Sequence, residues 1–312
     1  MANRTAGIHH ITAFARNPQE NVDFYSGVLG LRLIKKTVNF DNPHTYHLYF
    51  GDQAGTPGTI ITFFPYPHAR QGRVGGGQVG VTTFVIPQGA MTYWEERLAL
   101  LGVNATNTER LGETYLQFSD PDGLRLELVE RAEGAVATAA PGGIPAESAI
   151  KGFGGAVLYS VDYASTMRTL EQVLGFVKVG EDANYARFQS TADLGNRVDV
   201  PLRDMEWGAS GAGTVHHIAW RAKDDQDHEQ WRNKAIEYGF KATPIMDRNY
   251  FKALYFRENG GILFEIATDP PGFARDEEPA HLGEKLMLPE WFEGQRTEIE
   301  ANLLPVSAVA PY

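Results

Sequence analysis

The sequence predicts an α+β fold of four βαβββ modules that form two barrel-like units, and three observations carry that prediction. The same order of strand-like and helix-like runs recurs with a period of about 55–75 residues, which marks repeated supersecondary units. Two turn glycines, Gly123 and Gly261, each precede a strand that carries a Glu four residues on (Glu127, Glu265) and each follow an Arg by thirteen (Arg110, Arg248). Finally, a pair of histidines opens an apolar run twice, in "GIHHITAFARN" at 7–17 and in "GTVHHIAWRAK" at 213–223.

Module one, 8–64, begins with the strand "IHHITAFA". The segment "NPQENVDFYSGVLG" follows, starting at Asn and ending at Gly, which are helix start and stop signals. Three runs rich in Thr, Ile, Phe and Tyr, "LRLIKKTVNF", "TYHLYFGD" and "GTIITFFPY", complete it as strands. Module two, 79–130, has the strand "VGVTTFVIP", the helix "AMTYWEERLALLG" and a hairpin turning at Asp120-Pro121-Asp122-Gly123. Module three spans 153–203 and module four 214–268. The Ala-, Gly- and Pro-rich stretch 133–149 reads as a linker between an N-terminal half, 1–132, and a C-terminal half, 150–312. The tail 269–312 is expected to cross the mouth of a cavity and to end in a helix starting near Pro289.

The chain has 312 residues, 43% hydrophobic, which suffices for two compact units. Its net charge is −11 and its basic residues are scattered, so nucleic acid is not an expected partner. No apolar run reaches the roughly 18 residues of a membrane helix and the N-terminus has no signal-like apolar core, so a cytoplasmic protein without a membrane partner is expected. Oligomeric state is left open, a homo-oligomer included. Cys is absent, which excludes disulfides, thiolate nucleophiles and thiolate-bound metal. Any metal must take nitrogen and oxygen ligands.

A strand alternates its faces, so His9 and His10 point opposite ways, as do His216 and His217. One His of each pair can face a barrel interior, together with Glu265 from the last strand of module four. Two His and one carboxylate with open positions suit non-haem Fe(II) and oxygen chemistry, with Mn(II) or another divalent ion as substitute. The repeat is a control on that reading. At the place of the His pairs module two has Thr82-Thr83 and module three has no His, and at the place of Glu265 module one has Thr62. No module holds a full set, so modules one and four must meet to build the site, and modules two and three pair without metal. Glu127 is expected to be structural and paired with a cation. His44, His47 and His68 are expected at the surface or lining a cavity, although the alternation in "YHLYF" can turn His47 inward.

At these residues the chain resembles the vicinal oxygen chelate (glyoxalase/bleomycin resistance/extradiol dioxygenase) superfamily, and within it the bacterial ring-cleaving hydroquinone 1,2-dioxygenases. The stretches that carry the resemblance are "HHITAFARNPQENVDFYSGVLGLRLIKKTVNFD", "YHLYFGDQAGTPGTIITFFP", "VHHIAW", "DRNYFKALYFRENGGILFEIATD" and "PGFARDEEPAHLG". The resemblance implies His10, His217 and Glu265 as metal ligands, and His9, His216, Arg248 and Tyr255 around the substrate. Alternation alone does not bring His9 and His216 to the cavity, which requires a twist or a bulge. A two-residue Asn259-Gly260 loop would set Leu254 opposite Glu265, whereas one extra loop residue sets Tyr255 there.

The implied activity is oxidoreductive cleavage of a hydroquinone- or catechol-type ring with O2 at Fe(II). A glyoxalase-like isomerase or lyase of the same fold would be expected to bring four protein ligands, and Thr62 counts against it. A metal-free ligand-sequestering protein of this fold would leave the paired histidines without purpose.

Overall fold

The structure is a computed structural model that describes residues 4–137 and 140–307. Residues 138 and 139 of the expected linker, 308–312 of the expected tail and 1–3 of the N-terminal half lie outside the described residues.

Module one contributes β1 (Ile8–Ala15), α1 (Pro18–Val22), β2 (Arg32–Asn39), β3 (Asn42–Gly51) and β4 (Ile60–Pro65). Module two contributes β5 (Gln78–Ile86), α2 (Met91–Leu100), β6 (Thr106–Arg110), β7 (Glu113–Ser119) and β8 (Arg125–Glu130). In module three these are β9 (Gly152–Tyr159), α3 (Tyr163–Arg168), β10 (Val177–Glu181), β11 (Tyr185–Gln189) and β12 (Arg197–Pro201). Module four has β13 (Val215–Ala222), α4 (Asp225–Glu237), the short β14 (Met246–Asp247), β15 (Phe251–Arg257) and β16 (Leu263–Pro271).

Local chemistry explains the helix starts. Asn17, Asp162 and Asp224 are N-caps whose side chains accept hydrogen bonds from backbone N–H groups of the first turn, which would otherwise have no partner. After α1 and α3 the chain widens into turns closed by i→i+5 bonds, Leu29 N to Phe24 O and Leu174 N to Thr169 O. A period-based reading takes "NPQENVDFYSGVLG" as one regular helix, and this wide turn is the difference. Gly123 and Gly261 both have φ of +90°, a conformation that costs a residue with a Cβ, which is why the same residue type precedes both final strands.

Two eight-stranded sheets result, in the orders β14-β15-β16-β13-β1-β4-β3-β2 and β10-β11-β12-β9-β5-β8-β7-β6. Modules one and four therefore share one curled sheet, and modules two and three the other, as the distribution of ligand residues required. Within each sheet the two first strands of the modules pair antiparallel at the centre, β1 with β13 and β5 with β9, and each pairs parallel with the last strand of its own module. The helices pack between elements of the two sheets in one core that includes Trp94, Trp220 and Trp231, all fully buried. The Tyr25 hydroxyl, after α1, donates to Asp120 Oδ2 in the turn of module two at 3.0 Å, which ties the two sheets together.

The tail returns along β2. Lys35, wholly buried, donates to Asp276 Oδ1 (2.6 Å) and Glu277 Oε2 (2.5 Å), and Met287 N donates to Lys36 O. Two short helices follow, α5 (Glu290–Glu293) and α6 (Arg296–Asn302), and the Trp291 ring packs edge-on to Phe40 with centroids 5.6 Å apart.

Candidate metal centre

Register places the three expected ligands side by side. Ala219 of β13 lies opposite His10 of β1 on one side and beside Glu265 of β16 on the other. His217 is two residues before Ala219, so it projects from the same face. His10 Nε2 and His217 Nε2 are 3.3 Å apart, His10 Nε2 is 3.5 Å from Glu265 Oε2, and His217 Nε2 is 2.8 Å from it. Among the described residues this is the one group of three or more His, Asp or Glu side chains whose ligand atoms all lie within 4.8 Å of one another. All three are buried, and neither oxygen of Glu265 has a hydrogen bond of good geometry.

A fully buried, unbonded carboxylate is costly unless a cation compensates it. Burial opposes ionisation of Glu265, yet His10 and His217 overcome it and hold its pKa well below the usual carboxylate range. Burial lowers the pKa of His217, with Glu265 acting the other way. A carboxylate oxygen and two imidazole nitrogens within 3.5 Å of one another, all buried, are a donor set that fits a divalent metal of the borderline kind.

The first histidine of each pair has an unforeseen position. In the β1–β13 ladder Ile8 pairs with Trp220 and His10 with Ala219, so His9 is an extra residue. Likewise Thr12 pairs with His217 and Ala13 with Val215, so His216 is extra. Both are bulge residues, and a bulge turns a side chain away from strict alternation. His9 Nδ1 lies 2.9 Å from His10 Nδ1, and His216 Nδ1 lies 2.8 Å from His217 Nδ1. His9 is buried against Phe251, whereas His216 rests on Phe14 and Phe64 and keeps contact with solvent. With Nε2 of His10 and His217 turned inward as lone pairs, we assign their protons to Nδ1, donated to the neighbouring histidine.

Tyr255 lies directly opposite Glu265, because the β15–β16 connection runs from Glu258 to Ile262 and closes with Glu258 N donating to Ile262 O at 3.1 Å. The tight two-residue loop that would have put Leu254 there is not formed. Burial raises the pKa of Tyr255 well above its ordinary value, and Glu265 adds to this. The guanidinium of Arg248 sits 5.6 Å from the Tyr255 ring centroid and forms a two-bond fork with Asp41, 3.2 and 3.1 Å. Burial works against the charge of Arg248, but Tyr255 and Asp41 more than offset it and raise its pKa.

The centre opens on a cavity of about 30 Å³ lined by His10 and His217, by Arg248, Phe251 and Tyr255, and by Asn39, Phe40, Asp41, His47 and Tyr49. His44 and His68 are exposed, as expected, while His47 has turned inward. The residues missed are those of the β2–β3 hairpin, Tyr49 and Phe251. The signal for Tyr49 was available, since it is two residues from His47 on one strand and must share its face. Asn39, Phe40 and Asp41 sit in a turn, where no periodicity applies.

The second sheet shows what the same frame does without histidines. Its β5–β9 ladder carries bulges at the matching places, but the extra residues are Gly80 and Gly154. The counterparts of His10 and His217 are therefore Val81 and Gly155. This corrects the alignment of the His pairs with Thr82-Thr83, which ignored the bulge. Glu127 and Asp199 occupy the place of Glu265, and arginines rather than histidines face them. Arg110 donates to Asp199 Oδ2 (2.6 Å) and to Glu127, and Arg187 donates to both oxygens of Asp199 (2.7 and 2.8 Å).

Paired βαβββ modules whose central strands converge two histidines and a carboxylate define a class of metal-dependent barrel enzymes and binding proteins. The chain belongs to the Glyoxalase/Bleomycin resistance protein/Dioxygenase superfamily, whose sequence profile matches residues 7–128 and 152–266. It is 57% identical over 305 residues to a Bacillus subtilis (strain 168) protein named "Putative ring-cleaving dioxygenase MhqO", covering 98% of each chain. It is 33% identical over 319 residues to the chlorohydroquinone/hydroquinone 1,2-dioxygenase of Sphingobium indicum, covering 96% of each. The crystal structure of a "putative dioxygenase from Bacillus subtilis subsp. subtilis str. 168" superposes with a TM-score of 0.97 at 56% identity over the whole of both chains. Glyoxalase I from Zea mays shares the fold, with a TM-score of 0.63 at 14% identity over 84% of this chain and 92% of that one. Among the described residues no helix is long and apolar enough to cross a membrane.

Proposed function

We propose that this protein is an Fe(II)-dependent, extradiol-type ring-cleaving dioxygenase that inserts O2 into a hydroquinone-type ring, with His10, His217 and Glu265 as metal ligands. The observation that carries the reading is the buried His/His/Glu cluster with an unbonded carboxylate beside a cavity walled by aromatic side chains, in a chain whose close relatives are named for ring cleavage. A divalent metal held there by three protein ligands would keep coordination positions for further oxygen donors. Fe(II) bound there would supply a Lewis-acidic, redox-competent centre at which a phenol ionises and O2 is reduced by the ring's own electrons.

The chain's own groups divide the remaining work. Phe251 and Tyr49 give an apolar slot for the ring. Arg248, charged and held by Asp41, offsets negative charge that develops in a site poor in water. With its raised pKa, Tyr255 remains a phenol at neutral pH, so it acts as hydrogen-bond donor and acid. His216, whose pKa is lowered by burial and by His217, is neutral at that pH; its Nδ1 accepts the His217 Nδ1 proton, so it acts through His217, whose ring it orients. His9 acts through His10, whose ring it orients. Thr62 stands where a fourth ligand would come from and is bonded instead to Thr12 and His47, which disfavours the isomerase reading.

The test is oxygen uptake by protein loaded anaerobically with Fe(II) and given 2-methylhydroquinone, beside Mn(II)-loaded protein and the His217→Ala and Glu265→Gln variants. Uptake that needs Fe(II) and both side chains, with a ring-opened product, is expected. No uptake from hydroquinones or catechols at full iron occupancy would overturn the assignment.

A further inference from the structure

Module one has its own counterpart of Tyr255, and it is tied to a chain of hydrogen bonds that the reaction as described does not use. Tyr49 of β3 pairs across the ladder with Thr62 of β4, as Tyr255 of β15 pairs with Glu265 of β16. The two tyrosines thus reach the cavity from opposite arms of one sheet, and both line it.

The chain runs from Thr12 Oγ1 to Thr62 Oγ1 (2.8 Å), from Thr62 Oγ1 to His47 Nε2 (2.8 Å), and from His47 Nδ1 to the Tyr49 hydroxyl (2.8 Å). Thr12, Thr62 and Tyr49 are essentially without solvent contact. Each hydroxyl has one proton to donate, and a neutral imidazole has one donor and one acceptor, so only two arrangements are self-consistent. If Tyr49 donates to His47, the protons all run toward Thr12, and the Thr12 hydroxyl proton is left buried with no partner in the chain. If instead Thr12 donates to Thr62, Thr62 to His47 Nε2, and His47 Nδ1–H to the Tyr49 oxygen, every internal donor is used. The proton left over is then the Tyr49 O–H, at the one member of the chain besides His47 that borders the cavity. Both arrangements leave one donor over, but the Tyr49 O–H borders the cavity, where a bound oxygen can accept it, whereas the Thr12 O–H does not, so an oxygen ligand in the cavity favours the second arrangement. Burial also lowers the pKa of His47, which keeps the ring in the neutral form this arrangement needs.

We propose that Tyr49 donates a hydrogen bond to the phenolic oxygen of the aromatic substrate, and that His47 is a positioning residue that sets the direction of that donor. The inference rests on the dioxygenase reading for the identity of the substrate, but its test does not depend on turnover. The probe is 4-nitrophenol, whose phenolate is coloured, bound at equilibrium to protein loaded with redox-inert Zn(II). Tyr49→Phe, which removes one oxygen atom and keeps the ring, should weaken binding about tenfold or more, the usual worth of a hydrogen bond to a charged oxygen. His47→Ala should weaken binding in the parent protein and have no further effect in the Tyr49→Phe background. His47→Asn, whose amide N–H falls near the place of Nδ1–H, should restore most of the affinity.

Phenolate affinity of Tyr49→Phe within twofold of the parent, at equal zinc content, would overturn the role of Tyr49. An undiminished loss from His47→Ala in the Tyr49→Phe background would overturn the positioning role, since His47 would then act by itself. Oxygen uptake by the parent protein separates the two levels. If the parent consumes O2 but Tyr49→Phe binds phenolate normally, the dioxygenase reading stands and this inference falls. If the parent consumes none, that reading falls and the binding comparison still decides the role of Tyr49.

Discussion

His9 and His216 are the extra residues of two bulges in one strand pair, and each places its Nδ1 within 2.9 Å of the Nδ1 of the histidine that follows it. The bulges lie in β1 and β13, the strands that supply His10 and His217. A metal-binding imidazole is held in one tautomer by what its other nitrogen touches, and loss of such a partner typically costs about 10–100-fold in metal affinity. His9→Phe and His216→Phe should each weaken metal binding by an amount in that range without lowering stoichiometry. Competition against a chelator of known affinity measures it, and affinity unchanged within twofold in both variants would show that the paired rings are bystanders.

The second sheet makes the opposite claim testable. There the frame holds Arg110 between Glu127 and Asp199, with no ligand histidines. Removing one partner of a buried ion pair leaves uncompensated charge and costs about 3–5 kcal/mol. Arg110→Ala should therefore lower stability by an amount of that order in urea denaturation while leaving metal affinity at the other sheet unaltered. A fall in metal affinity with little loss of stability would mean that the two sheets are coupled through this cluster.

The two sheets also show how far the sequence could be read. The repeat, the pairing of modules one with four, and the trio of His10, His217 and Glu265 were legible because they depend on residue type and on order along the chain. A bulge adds a residue to one strand without altering its pattern of apolar positions, so the roles of His9 and His216 and the true counterparts Gly80 and Val81 were hidden. Register across β15 and β16 hung on the size of one loop, which Asn259-Gly260 suggested to be tight, and which instead closes at Glu258 and Ile262. The cavity wall contributed by Asn39, Phe40 and Asp41 depends on where a turn folds back over the sheet, information held in tertiary packing such as the contact of Phe40 with Trp291.

Stability should fall on acidification, and the sign follows from two histidines that are not proposed ligands. Burial lowers the pKa of both His47 and His228, and His228 Nε2 donates to Ile266 O at 2.8 Å. Below the unfolded value of about 6.5 the unfolded chain takes up protons at these positions and the folded chain does not. The folded state therefore loses about 1.4 kcal/mol per pH unit for each such group as pH drops from about 6.5 toward its folded pKa. Urea midpoints of metal-free protein should decline across that window, and His228→Gln should make the decline shallower. A midpoint independent of pH from about 7 to about 5 would contradict the burial of these rings as neutral species.

Metal should stabilise the fold through Glu265 above all, because that carboxylate is fully buried and, without a cation, has His10 and His217 as the main groups balancing its charge. A ligand that binds only the folded state adds about 2.7 kcal/mol at one hundred times its Kd. Added Fe(II) or Zn(II) should raise the Tm of the parent chain in a concentration-dependent way, and the gain should vanish in His217→Ala. Glu265→Gln behaves differently, since it removes the buried charge together with the ligand. It should bind metal weakly yet be at least as stable as the metal-free parent. If metal-free Glu265→Gln instead melts well below the metal-free parent, then the two histidines compensate the carboxylate without help, and the cluster is stable as an ion-pair network in its own right, as its counterpart around Arg110 is.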